Sequence, residues 1–476
     1  MELKYNGSGY IFYNKKSYKC DLYINRKYGG ILIKISVEGA FASFIELPIS
    51  FGFLSGQLST GFKFSLLNCN RKETKGLVSE GRTVFSYSAE YMIEGVGGNI
   101  ENPIGFSKVL FELSDIIEWG DISGYAIGER DEIISNEDCE LKIYENDDYY
   151  IKYIVGKSML PIVFSDLLYE NISLKQTGNI EIAFKEPKQL NEFMIILLKI
   201  KRLIEISTLS KINIRKISGY NREYYNIYGD KKYERQISII NSKINQENNF
   251  EDNKYYTKKW GWIKLPELVE NESFIKYFSK YEKLEPIIEL YLQIIESNEM
   301  SNTRAFLNIV QALETYHSRF KANTLEEYKE RIDEVILKDR PKDFIENDKK
   351  FLMANSYKFI TLESRIADLL VADFNIYFDT GDIKYLDFPN IIANTRNYYI
   401  HYDENIKKKS KILTNEDLGI YTRTLIYMLE YYILIELGFQ NYENIKKKLN
   451  DRWGGVSQTI EIKNLSESSN KNINGE

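Results

Sequence analysis

The sequence predicts an α+β protein: a β-rich N-terminal region, sandwich-like and built of two lobes, followed by an all-α helical bundle. Three observations predict it. Short runs of β-branched and aromatic residues, set apart by Asn, Gly and Lys, fill most of the stretch 1–240. A polar stretch poor in aliphatic residues, NSKINQENNFEDNKYYTKK, occupies 241–259 and reads as a linker. Beyond it, across 260–452, apolar residues recur at helical spacing.

The runs at 9–13, 19–25 and 30–37 open the β-rich region, and 62–67, 83–91 and 107–113 continue it. No helical segment separates them, which points to antiparallel pairing in a sandwich or barrel. A polar and acidic interruption at 136–148 lacks the glycine and ligand spacing of a calcium loop and reads as a solvated connection. Strands resume at 149–155 and 179–184. A helical period then marks 190–206, with strands after it at 211–217 and 234–240.

Helices are expected at 284–296, 303–320, 325–337, 361–372, 391–401 and 415–437. Ser301 or Asn302 would cap the second and Thr414 the last, since a side-chain oxygen there accepts from an otherwise unpaired first-turn amide. The Ser- and Asn-rich residues 453–476 read as a disordered tail.

At 476 residues the chain exceeds what one core usually organises. Hydrophobic residues at 43% and charged residues at 28% suit a globular protein. A net charge of -6 argues against a surface covered in nucleic-acid-binding cations, while leaving room for a local basic cleft. Cys20, Cys69 and Cys139 are far apart and form no CxxC pair, so neither a zinc site nor a disulfide framework is expected. The start, MELKYNGSGY, has no apolar signal core, and Glu430 and Glu436 interrupt the most apolar helix. A cytoplasmic protein without membrane contact is expected. No glycine-rich phosphate loop occurs, and no cofactor or metal is expected.

Two histidines, His317 and His401, are the imidazoles available for acid–base work near neutral pH. His401 closes the segment FPNIIANTRNYYIH. On a helix Asn397 shares its face, four residues earlier, and Arg396 sits one position around. An imidazole can take the proton of a ribose 2′-OH or return one to a 5′-O leaving group, and a guanidinium suits the charge of the phosphorane transition state. Positioned acid–base catalysis is worth about 10²–10⁴ in rate, and a charge aimed at the transition state roughly 3 kcal/mol. Because the 2′-OH is the nucleophile, such a reaction needs no metal. The plainer reading is a surface arginine and a helix-end histidine near Asp403 and Glu404.

The segment TRNYYIH, 395–401, resembles the R-N-x-x-x-H motif of HEPN domains, helical bundles that include many toxin and antiviral ribonucleases. It stands in the penultimate helical block, before a long last helix, as in that family. Upstream, FLNIVQALETYHSRF at 306–320 resembles the helix with an A-L-E signature in the ApeA-like branch. The stretch 52–69, with spaced glycines before FKFSLLNC, is similar to the N-terminal domain of ApeA proteins, which are anti-phage abortive-infection systems. So is FSKVLFELSDIIEWG, ending at Trp119 and Gly120. The resemblance covers nearly the whole chain.

It implies a hydrolase of the toxin kind: a metal-independent endoribonuclease that cuts RNA, tRNA among the candidates, and leaves a 2′,3′-cyclic phosphate. Arg396 and His401 would be the catalytic pair, Asn397 would orient His401 or contact RNA, and Glu314 would be a polar partner of Arg396. Tyr398, Lys407, Lys408, Lys409 and His317 are candidate substrate contacts through stacking or charge. Each has a plainer alternative: a core aromatic, a solvated lysine run, a packed histidine. The N-terminal region would sense a phage-derived trigger or restrain the nuclease. The chain would form a homodimer or higher symmetric oligomer with two R-x4-H motifs facing across a shared cleft. The alternative function is a non-catalytic HEPN-like RNA- or protein-binding module.

Overall fold

Strands β1 (Gly7–Tyr13), β2 (Lys16–Ile24), β3 (Ile31–Glu38), β4 (Ser50–Leu58), β5 (Lys63–Leu77) and β6 (Arg82–Ala89) pair antiparallel in the order β5-β4-β1-β2-β3-β6, and β6 returns to β5 to close a barrel. This is a computed structural model. It describes residues 6–25, 30–39, 47–98, 102–129, 132–137, 139–160, 173–243, 262–297, 299–321, 360–370 and 387–453. Closure shows in the alternation along β3, where Ile31, Ile33, Ile35 and Val37 are buried while Lys34 and Glu38 are exposed. Each such buried aliphatic contributes about 1.5–3 kcal/mol. One of the spaced glycines has a local cause. Gly56 in β4 lies opposite Phe64 in β5, where a Cβ would stand 2.5 Å from Phe64 Cζ and 2.7 Å from the Tyr10 carbonyl.

The β region continues through β7 (Tyr91–Glu94), β8 (Phe106–Leu113), a one-turn helix α1 (Ile117–Gly120), β9 (Tyr125–Ile127), β10 (Ile133–Ser135), β11 (Glu140–Glu145), β12 (Tyr149–Leu160) and β13 (Ser173–Lys188). Helix α2 (Leu190–Thr208) follows, then β14 (Ile214–Tyr220), β15 (Tyr225–Tyr228), β16 (Lys231–Glu234) and β17 (Ile237–Asn241). β7 leaves the barrel along β5 and opens an antiparallel sheet in the order β7-β17-β14-β8-β13-β12-β11. Barrel and open sheet give the β-rich region its two parts. The stretch 136–148, expected as a solvated connection, instead supplies the edge strand β11, with a bulge between Lys142 and Tyr144. Charges and a bulge are how an exposed edge avoids further pairing, and they also make it read as a loop.

The EWG end of the second N-terminal motif is a packing device. Trp119 meets Tyr153 of β12 edge-on at 5.9 Å, and the Tyr153 hydroxyl donates to the Ile116 carbonyl at 3.1 Å. A Cβ on Gly120 would stand 2.2 Å from that hydroxyl. The three cysteines are free and buried, and burial pushes the Cys20 and Cys69 thiols up to about 12.

The described residues fall into two compact units, a β unit within Met1–Ile204 and Ile212–Trp260 and a helical unit within Glu205–Lys211 and Gly261–Glu476. The helical unit holds α3 (Leu265–Glu270), α4 (Ser273–Glu296), α5 (Asn302–Phe320), α6 (Leu362–Leu369), α7 (Phe388–His401), α8 (Glu404–Lys409), α9 (Asn415–Glu436) and α10 (Tyr442–Trp453). An α+β chain with a β-rich front and a helical bundle behind it is therefore what the sequence folds into. The expected helix at 325–337 and the tail beyond Trp453 lie outside the described residues.

Helix α5 is the centre of the bundle and packs against α4, α6, α7 and α9. Ser301 caps it by accepting from the Arg304 amide, and Thr414 caps α9 in a reciprocal box with Asp417. The carboxylates that break the apolar run of α9 are buried ties to its neighbours. Glu430, 0% exposed, accepts from the Tyr291 hydroxyl at 2.6 Å and stands 3.5 Å from Arg452 Nε. Glu436 accepts from the Tyr316 hydroxyl at 2.8 Å and from Lys280 at 2.7 Å. Among the described residues no helix is long and apolar enough to cross a membrane.

Candidate active site

The buried residues of α7 include Phe388, Ile391, Ile392 and Thr395, the i, i+3, i+4, i+7 pattern of a helix with one face in the core. Thr395 is fully buried, and its hydroxyl accepts from the Leu413 amide at 3.0 Å, which ties α7 to the segment that leads into α9. With that face inward, Arg396, Asn397 and Ile400 fall on the rim. Arg396 is held from two sides. Its Nη1 donates to Asn397 Oδ1 at 3.1 Å, and its Nη2 lies 3.5 Å from Glu314 Oε2 on α5.

Glu314 stands at the edge of the α5 face that buries Phe306, Ile309, Val310, Leu313 and Tyr316. Arg396 and Glu314 are 31% and 35% exposed, so their ion pair adds at most about 1 kcal/mol to stability. Its consequence is orientation: the guanidinium is fixed while one side remains open. That side borders a cleft of about 520 Å³ whose lining includes Arg304, Asn308 and Gln311 of α5 and Arg396, Tyr399 and Tyr402 on the other wall.

The structure thus brings Arg396, Asn397 and Glu314 together. His401 is the last residue of α7, exposed, and has no hydrogen-bond or ion-pair partner among the described residues. Five residues of helix set it about 7.5 Å along the axis from Arg396 and about 140° around it. Asn397 directs its amide oxygen to Arg396.

Lys407, Lys408 and Lys409 lie exposed on α8, and Lys407 Nζ stands 5.7 Å from the centre of the Tyr398 ring. Tyr398, Tyr399 and Tyr402 form one aromatic cluster. His317, expected among the substrate contacts, is 1% exposed and enclosed by Arg365 and Asp368 of α6, so no substrate reaches it. Sequence reasoning passed over Arg304 and Tyr402. Arg304, Asn308 and Gln311 do follow an i, i+4, i+7 stripe, but a stripe gains meaning only once α7 is laid beside it. Among the described residues no group of three or more His, Cys, Asp or Glu side chains could hold a metal ion.

Comparison with known families decides what this bundle is. Residues 4–281, more than half of the chain, match the family described as ApeA N-terminal domain 1, and residues 307–443 match Apea-like HEPN. The chain belongs to the ApeA-like proteins with a C-terminal HEPN domain. The ApeA N-terminal match ends inside α4, and the HEPN match spans Glu314, Arg396 and His401. Comparison with curated proteins gave no match, nor did comparison with solved structures. HEPN domains are generally ribonucleases, and an ApeA N-terminal domain joined to one supports an effector of the abortive-infection type with an RNA-related role.

Proposed function

We propose that this ApeA-like protein is an endoribonuclease that cuts RNA by attack of a ribose 2′-OH on the adjacent phosphorus. The observation that carries the reading is the guanidinium of Arg396, fixed between Glu314 and Asn397 with one side open to the cleft, on the same helix as an exposed His401 that has no partner among the described residues. The 2′-oxygen–phosphorus bond forms and the phosphorus–5′-oxygen bond breaks, leaving a 2′,3′-cyclic phosphate and a 5′-OH. His401 takes the 2′-OH proton or supplies one to the 5′-oxygen. Arg396 stabilises the charge that gathers on the phosphorane oxygens. Glu314 and Asn397 are positioning residues. The nucleophile is the RNA's own hydroxyl, so no metal-generated hydroxide is required.

Within one α7, Arg396 and His401 diverge around the helix. A symmetric dimer, in which two such helices face each other, offers a phosphate the arginine of one chain and the histidine of the other. The ApeA N-terminal domain is the part that would hold this activity in check until a phage-derived trigger arrives. A single 2′-deoxy substitution in an oligoribonucleotide tests the chemistry: cleavage 3′ of that sugar is lost while other sites are cut, and EDTA changes neither. Cleavage that persists at the deoxy position would exclude 2′-OH attack. RNA bound but left intact by the wild type, Arg396→Ala and His401→Ala alike would favour the non-catalytic module.

A further inference from the structure

We infer that the cleft between α5 and α7 is a nucleotide subsite beside the Arg396 phosphate position, in which Arg304 binds a flanking phosphate and Tyr402 stacks a base. The inference rests on the ribonuclease reading for its choice of ligand, single-stranded RNA, and on the geometry for its residues. Arg304 lines the cleft opposite Arg396, is exposed, and has no side-chain hydrogen-bond or ion-pair partner among the described residues. Arg396 gives part of its donor fork to Glu314 and Asn397, whereas Arg304 keeps its whole fork open to a ligand among the described residues. Two guanidiniums in one cleft fit successive phosphates of one strand.

Tyr402 adds a second observation. It is 64% exposed, it lines the same cleft, and it sits at φ 50°, the left-handed position that ends α7. Helix ends of this kind favour glycine, because a Cβ crowds the backbone there. A large aromatic in that conformation is not explained by helix termination. Its ring does pack beside Tyr398 at 5.8 Å and Tyr399 at 6.3 Å, which holds it upright while leaving most of its surface open. An exposed ring held by its neighbours is a stacking platform, and base stacking needs no particular sequence. Asn308 lines the same cleft; its Nδ2 donates to Gln293 Oε1 at 3.3 Å and its amide oxygen has no hydrogen-bond partner among the described residues. It offers an acceptor for an exocyclic amine.

The test measures binding of a labelled single-stranded oligoribonucleotide to the full chain carrying His401→Ala, across a range of salt. Adding Arg304→Ala should weaken binding roughly tenfold at low salt and reduce the slope of log affinity against log salt by about 0.7, the share of one single-strand phosphate. Tyr402→Gly should also weaken binding roughly tenfold, with the slope unchanged, while Tyr402→Phe keeps wild-type affinity. Lys447→Ala, an exposed lysine on α10, controls for general charge and should change neither. In the otherwise wild-type chain, Arg304→Ala should raise KM and leave kcat in place.

Unchanged affinity and slope in Arg304→Ala overturn the inference while leaving the ribonuclease reading intact. A wild type that never cuts RNA but loses affinity through Arg304→Ala and Tyr402→Gly overturns that reading and keeps the subsite. A chain that binds no RNA overturns both.

Discussion

Arg365 donates from Nη1 to Nδ1 of His317 at 3.1 Å, and this assigns the imidazole. A guanidinium can only donate, so Nδ1 accepts, and in the neutral ring the proton sits on Nε2. There it donates to Asp368 Oδ2, 3.1 Å away. The histidine is a buried joint between α5 and α6, and burial, with the charge of Arg365 adding to it, lowers its pKa below 6.5 against the opposing pull of Asp368.

A stability-versus-pH prediction follows from that direction. Below 6.5 the unfolded chain protonates His317 while the folded chain resists it, so this contribution is full above 6.5 and is lost as pH falls towards the folded value. The slope from this group is at most about 1.4 kcal/mol per pH unit. His317→Gln, which cannot titrate, should unfold with a shallower pH dependence than the wild type as pH falls below about 6.5. Equal slopes in urea titrations of the two chains would contradict the assignment.

The Arg396 site predicts a graded series. Arg396→Ala should slow RNA cleavage by about 10²–10³ in kcat. Arg396→Lys should recover little of it, since a lysine cannot meet Glu314, Asn397 and a phosphate with a fixed fork of donors. Glu314→Gln should cost roughly tenfold, as a positioning residue does. Full activity in Arg396→Lys would show that charge alone suffices.

Gly120 tests the β unit. Gly120→Ala sets a methyl 2.2 Å from the Tyr153 hydroxyl and should destabilise this unit by about 1–3 kcal/mol. Gly120→Ala combined with Tyr153→Phe should recover little of the loss, because the ring carbons Cζ and Cε1 stand 2.2 and 2.5 Å from the added methyl and remain after the hydroxyl is gone. Calorimetry on the full chain reads both, and an unchanged first variant would mean that the backbone there gives way freely.

Glu430 tests the helical unit. Glu430→Ala leaves the buried Tyr291 hydroxyl without its acceptor and takes a carboxylate from the partly exposed Arg452, and should cost about 1–3 kcal/mol. Glu430→Gln retains an acceptor for the tyrosine and should cost less. Equal losses in thermal unfolding would mean that the charge of Glu430, rather than its hydrogen bond, is what α9 needs.

The pattern of strands and helices was legible because it is written in period and punctuation. Ser301 and Thr414 mark helix starts in the chain as they do in the fold. What stayed hidden has local causes. β4 carries Gly52 and Gly56, which dilute its strand character, although Phe64 requires the second of them. β11 is charged because it is an edge. α4 begins at Ser273, ahead of the expected 284, and runs through Pro286, which argues locally against a continuous helix. At the site, Arg396, Asn397 and Glu314 could be nominated from motif and spacing, whereas Arg304 and Tyr402 acquire a role only from the approach of α5 to α7. Residue spacing carries no information about a wall supplied by another helix.

The most direct test of the account is the rate at which the full chain cuts a labelled oligoribonucleotide in EDTA, for the wild type, Arg396→Ala and His401→Ala. The account predicts cleavage by the wild type and, for each variant, a loss of at least about 10²-fold. Cleavage by either variant at the wild-type rate would contradict it.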